Sequence, residues 1–240
     1  MPTARRQMAL TADLVARTAR VVEDAGPSPG AVYLTEEDYE LAVRDILVQA
    51  PREDVWLFGY GSLLWKPAFE YVESRIATVR GWHRSFCIRV ARFRGTRDLP
   101  GLMMALDRGG QCRGKVFRIP ADQAVENLKA LFRRELVVKP PGTPPRWLMA
   151  RTNEGPLPAI GFVVDRRSPF YAGGLAPEEV ADIVARAAGH WGSCAEYLRN
   201  TVSHLEALGI HDRNLWRLQA LVAERVASSP SKVSEGRSNE

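Results

Sequence analysis

The sequence predicts an α+β protein, a small mixed β-barrel packed by flanking helices. Two observations carry this. Between residues 55 and 164, short apolar runs alternate with turn residues at near-regular spacing, the pattern of a strongly curved sheet or small barrel. Helical periodicity governs both ends of the chain, and one amphipathic stretch from Ala121 to Glu135 interrupts the strands. With 240 residues, 45% hydrophobic and 25% charged, the chain is long and apolar enough to bury a sizeable core.

The elements follow in order. Leu10, Leu14, Val15, Thr18, Val21 and Val22 recur at helical spacing, and a turn follows at Gly26-Pro27-Ser28-Pro29-Gly30. Thr35 opens a second helix, with Asp38 placed for a capping box, an apolar face of Tyr39, Ala42, Ile46 and Leu47, and Pro51 as its stop. The predicted strands are 55–58, 76–79, 85–90, 102–106, 115–119, 147–151 and 159–164, the last two joined by a turn at Asn153-Glu154-Gly155. Pro177 opens a helix in the first-turn position that tolerates proline. Ser193 with Glu196 reads as another capping box, and Asp212 caps a last helix through Leu215, Leu218, Leu221 and Val222. The chain thus divides into a helical N-terminal extension (1–52), a barrel domain (53–226) and a polar tail (227–240) whose composition predicts disorder.

Composition excludes several function classes. No apolar run reaches the ~18 residues that span a bilayer. No signal-peptide core follows Arg5 and Arg6, so the expected setting is cytoplasmic and without a membrane partner. Cys87, Cys112 and Cys194 are odd in number and lack CxxC spacing, which predicts reduced, buried thiols. The four histidines form no HExxH pair, so no metal is expected. A formal charge of +5 suits an anionic small molecule. No nucleic-acid-binding motif accompanies it, and no nucleic-acid partner is expected.

Three features bear on chemistry. The strand at 55–58 runs into Gly59-Tyr60-Gly61-Ser62-Leu63. Two readings stand: a plain strand-ending turn, or a loop whose N–H groups hold a carboxylate or oxyanion. On a helical wheel Glu135 continues the stripe of Ala121, Ala124, Val125, Leu128, Leu131 and Phe132, with Arg133 and Arg134 to the sides and back. A carboxylate on an apolar face is desolvated and becomes a base useful near neutral pH; if the helix frays first, Glu135 is an ordinary solvated acid. Among the arginines of 84–97, Arg84 shares strand parity with Phe86, Ile88 and Val90, where a guanidinium could clamp a substrate carboxylate. Arg89, of opposite parity, is expected in solvent. The segment Lys139-Pro-Pro-Gly-Thr-Pro-Pro145 reads either as a stiff loop over a site or as a linker.

The segments WLFGYGSLLWKPAFEY (56–71), GWHRSFCIRV (81–90), RGTRDLPG (94–101), LFRREL (131–136) and AGHWGSCAEYL (188–198) together resemble the ChaC family of γ-glutamylcyclotransferases, in its bacterial form with an N-terminal extension. The resemblance covers about residues 53–226. It implies a β-barrel and a cofactor-free reaction in which the α-amine of a γ-glutamyl group attacks its own side-chain carbonyl. With glutathione the products are 5-oxoproline and cysteinylglycine. Carried over residue by residue, the resemblance places the acid/base at Glu135 and the substrate loop at Tyr60, Gly61, Ser62 and Leu63, with further substrate-binding positions at Tyr171 and Tyr197. One departure bears on specificity: relatives often read Pro-Gly-Arg where this chain has Pro100-Gly101-Leu102, and the arginine's role could pass to Arg94 or Arg97. Another γ-glutamyl amide as substrate, or a non-catalytic metabolite-sensing or transport-regulating binder, are the competing readings. Oligomeric state is not legible.

Overall fold

The computed structural model describes residues 7–50 and 54–229. Elements in chain order are α1 (Ala12–Arg17), β1 (Val32–Tyr33), α2 (Glu36–Val48), β2 (Val55–Gly59), β3 (Glu73–Val90), β4 (Gly101–Ile119), α3 (Ala124–Glu135), β5 (Val138–Lys139), β6 (Pro145–Thr152), β7 (Gly155–Phe162), α4 (Pro177–Arg186), α5 (Cys194–Ala207) and α6 (Arg213–Ser228). Five strands close into a barrel in the order β2-β4-β3-β6-β7. All its pairings are antiparallel except β2 with β7, where Leu57 lies opposite Ile160 in parallel. The predicted mixed barrel with flanking helices is therefore the fold.

The two long central strands differ from the four short ones predicted at 76–79, 85–90, 102–106 and 115–119. Gly81 (φ 81°), Gly109 (φ 111°) and Gly110 (φ 64°) read as strand ends in the sequence. Instead β3 shifts register against β4 between Arg80 and Trp82. Glycine at positive φ accommodates such a bulge, which bends the strand without ending it. The bends let one 18-residue and one 19-residue strand wrap around the barrel.

Helices cover the barrel on two sides. On one, α3 lays Leu128, Leu131 and Phe132 against Phe117, Ile119 and Ile160, with Tyr39, Val43 and Ile46 of α2 in the same cluster. Each such side chain contributes about 1.5–3 kcal/mol by leaving water. Val125, at the edge of the α3 stripe, stays about half exposed. On the other side α4, α5 and α6 pack Val184, Leu198, Val202 and Val222 against Val79, Leu102 and Leu106.

The N-terminal periodicity overstated its helix. Only Ala12–Arg17 is helical. It stops at Thr18, whose hydroxyl lies 2.7 Å from both the Val15 carbonyl and the Ser193 hydroxyl, and Val21 is fully exposed. Leu10 is nevertheless completely buried, its N–H donating to Gln219 of α6 at 2.8 Å. The Thr35–Asp38 capping box forms as predicted. The Ser193–Glu196 box forms by half: Ser193 Oγ accepts from the Glu196 N–H, but the Glu196 carboxylate takes Arg94 instead. Of the tail expected from Ala227, residues 227 and 228 continue α6 and Ser229 caps it. Arg5, Arg6, Pro51 and residues 230–240 lie outside the described residues.

Candidate functional site

A cavity of about 790 Å³ opens where the end of α3, the loop after β2 and the β3–β4 connection meet. Its wall includes Tyr60, Ser62, Arg134, Glu135 and Tyr197. Residues 137 positions apart in sequence, Tyr60 and Tyr197, thus share one chamber. The Pro141–Thr143 part of the proline-rich loop also forms wall, so this stretch covers the site.

Glu135 is the last residue of α3, which holds its helix to that point and does not fray. Its side chain keeps 24% of its surface accessible, on the cavity. Burial raises its pKa above the ordinary 4.5, and the Arg134 guanidinium, with Nε 3.3 Å from Oε1, only partly opposes this. Such a carboxyl takes up a proton more readily than a solvated one, the property a general acid/base needs.

Arg134, which the helical wheel turned to the sides and back, is the residue the sequence reading missed. It sits beside Glu135, donates from Nη2 to Ser62 Oγ at 2.8 Å, and from Nη1 to the Lys66 carbonyl. One guanidinium therefore fixes the loop after β2 against the acid. The signal was available: a long side chain at a helix end reaches well beyond its wheel direction.

The loop is held from the other side by Tyr197 of α5. Its hydroxyl accepts from the Ser62 backbone N–H. Gly61 makes this approach feasible, since a Cβ there would lie 2.8 Å from the Tyr197 hydroxyl and 3.0 Å from Met104 Cε. Burial, and then the Glu135 charge, pushes the Tyr197 phenol up to about 12, and the same two causes raise Tyr60. Both phenols stay protonated donors. Tyr60 donates to the Phe162 carbonyl at 3.0 Å, while Tyr197 Oη, already accepting from Ser62, has its proton to offer to the cavity.

The remaining expected residues distribute as follows. Leu63 is buried in the α2–α3 cluster and is not part of the wall. Arg84 is also absent from the wall. Its guanidinium donates to the Tyr60 carbonyl (2.7 Å), to Asp212 Oδ2 (3.1 Å) and to the Arg113 carbonyl. The expected clamp on a substrate is thus spent inside the protein, where it fixes the carbonyl just before Gly61. Tyr171 donates to Asp107 at 2.9 Å, outside the wall. Leu102 is wholly buried, and Arg94 of the cavity wall lies over the Tyr197 ring while paired with Glu196 at 2.8 Å. Arg89 is exposed, as its parity predicts, yet it is part of the cavity wall.

Charge is unevenly satisfied around the chamber. Arg92, Arg94 and Arg134 each have a carboxylate partner. Among the described residues, the wall cations Lys66 and Arg89 have none. The three thiols are buried, and burial raises Cys87 to about 12 and Cys112 and Cys194 to about 11. None is placed as a thiolate nucleophile. Among the described residues no three His, Cys, Asp or Glu side chains gather into a metal-binding set, and no helix is long and apolar enough to cross a membrane.

Comparison with known proteins agrees with this architecture. A glutathione-specific γ-glutamylcyclotransferase of Escherichia coli K12 is 37% identical over 176 residues, 73% of this chain and 75% of that one. The mouse glutathione-specific γ-glutamylcyclotransferase 1 is 34% identical over 65% of this chain and 71% of its own length. Among solved structures, a glutathione-specific γ-glutamyl cyclotransferase from yeast superposes with a TM-score of 0.65, at 21% identity, over 72% of this chain and 97% of that one. The family model for ChaC-like proteins matches residues 55–225, from the first barrel strand through most of α6, and the chain belongs to the ChaC-like family.

Proposed function

We propose that this protein degrades glutathione by intramolecular cyclisation, as a cofactor-independent γ-glutamylcyclotransferase of the cytoplasm. The observation that carries the reading is a desolvated carboxyl, Glu135, facing the Tyr60–Leu63 loop across a chamber that holds a small molecule.

Glu135 takes a proton from the α-ammonium of the γ-glutamyl residue, which is protonated at neutral pH and cannot attack until it loses that proton. The freed amine attacks the side-chain carbonyl carbon, closing a five-membered ring. As the tetrahedral adduct collapses, the amide C–N bond breaks and Glu135 returns the proton to the departing amine. The products are 5-oxoproline and cysteinylglycine, and no water is consumed. One carboxyl serves both proton transfers. Because nucleophile and electrophile belong to one molecule, the protein mainly selects a folded-back conformer. The Tyr197 hydroxyl and the loop backbone supply donors for the developing oxyanion.

Glutathione carries two carboxylates, and Lys66 and Arg89 are the two wall cations left without a carboxylate partner among the described residues. Lys66 lies next to the substrate loop and suits the α-carboxylate; Arg89, on β3, suits the carboxylate of the terminal glycine. Arg89→Ala is therefore expected to raise KM for glutathione about ten-fold, the scale of one lost charged hydrogen bond, and to leave a γ-glutamyl amide lacking the second carboxylate nearly unaffected. Steady-state kinetics on both compounds check this. Equal loss on both would assign Arg89 elsewhere. Turnover of simple γ-glutamyl amides with none of glutathione would shift the substrate class, and binding without turnover of any would leave a metabolite-sensing protein.

A further inference from the structure

The family match starts at residue 55, yet Ser28 and Tyr33 form part of the cavity wall. The segment from Asp24 to Tyr39 runs across the chamber's edge and is tied down at both sides. At one side Asp24 receives Nε and Nη2 of Arg92 at 2.7 and 2.6 Å and lies 3.6 Å from His190 Nδ1. At the other, β1 pairs with β5, Val32 opposite Lys139 and Tyr33 opposite Val138, directly after Glu135. Beyond it Asp38 meets Lys139, Glu36 meets Arg133, and Tyr39 Oη donates to the Leu136 carbonyl at 3.0 Å. The anchors sit on β3–β4 and on α3–β5, the two edges that frame the chamber.

Tyr33 stands beside Ser28 on the chamber wall. Its hydroxyl accepts from the Ser28 N–H at 3.0 Å and lies near the Arg92 guanidinium. Its own proton has no acceptor among the described residues. A hydroxyl so oriented, on a wall that the matched family region does not supply, is a donor waiting for a ligand group.

We propose that residues 24–39 form a strap that acts as a specificity element, with Tyr33 reading the part of the substrate beyond its γ-glutamyl group. This rests on the cyclotransferase reading. The reacting γ-glutamyl group occupies the Glu135–Ser62 corner, so the leaving amine extends into the remainder of the chamber, which the strap bounds. The strap rejects γ-glutamyl compounds with a larger leaving half and donates one hydrogen bond to glutathione.

The test compares kcat and KM for glutathione and for S-hexylglutathione, in the wild type, Tyr33→Ala and Asp24→Asn. Tyr33→Ala is expected to raise KM for glutathione about ten-fold, to hold kcat within about two-fold, and to reduce the preference for glutathione over the hexyl conjugate by about ten-fold or more. Asp24→Asn, which loosens the Arg92 anchor at an exposed position, is expected to shift the preference the same way by a smaller factor, and it decides the matter alone if Tyr33→Ala does not fold. Wild-type KM and preference in the folded variants would overturn the strap while leaving the cyclotransferase standing. A wild type that turns over neither compound would overturn both.

Discussion

Replacing Glu135 by glutamine is expected to lower glutathione turnover by about 10²-fold or more, the usual scale for a lost general acid/base, while the protein stays folded. Glutamine fills the same space, so α3 keeps its packing. Stability changes in a direction that separates function from structure. Burial holds the Glu135 pKa above its ordinary value, so the folded state binds that proton more tightly than the unfolded chain. Above the folded pKa the ionised carboxylate therefore works against folding, and below the unfolded pKa it does not. Glu135→Gln should melt at or above the wild-type temperature at neutral pH, with the advantage disappearing as pH falls through the folded and then the unfolded value. The acid limb of kcat/KM in the wild type should fall above 4.5 for the same reason. Near-wild-type turnover in the variant would mean that another group moves the protons. A large drop in melting temperature would mean that the carboxylate is structural.

Arg84→Leu is expected to have the opposite signature, a large loss of stability. The Arg84 side chain is 2% exposed and that of Asp212 19%. Removing the guanidinium strands the Tyr60 and Arg113 carbonyls and leaves the Asp212 charge unpaired. Breaking a buried pair from one side costs about 3–5 kcal/mol, equivalent to roughly 10 °C in Tm for a domain of this size. Arg84→Lys is expected to recover only part, because one ammonium cannot span three acceptors in fixed directions. Thermal melting checks both. An unchanged Tm with a raised KM would instead place Arg84 on the substrate.

These two residues also show how far the site was legible. Strand parity rightly turned Arg84 inward, but parity says nothing about what waits inside, and protein acceptors from three separate segments engaged each of its three guanidinium nitrogens. For Glu135 the helical stripe was enough, since α3 holds its helix through that residue and the side chain continues the buried face. Arg89 was sent to solvent by the same alternation; it is exposed, but the solvent it meets fills the chamber. Tertiary closure decides that, and no local pattern carries it.

At the level of fold, strand and helix types were readable because periodicity and capping are local. The barrel's two long strands were cut short because Gly81, Gly109 and Gly110 carry the same sequence signal whether they end a strand or bend it. The stretch around Val21 and Val22 had helical spacing without a surface to bury it, and spacing alone does not make a helix. Nor does spacing reveal that Tyr33, in a two-residue strand, reaches the chamber, because its partners Val138 and Arg92 are about 105 and 59 positions away.

The central claim is that the γ-glutamyl amine, not water, attacks the carbonyl. The direct measurement is turnover of glutathione by the purified protein in water labelled with oxygen-18, followed by mass analysis of the acyl product. The mechanism predicts unlabelled 5-oxoproline in equal amount with cysteinylglycine. Glutamate carrying the heavy oxygen would show hydrolysis and contradict it.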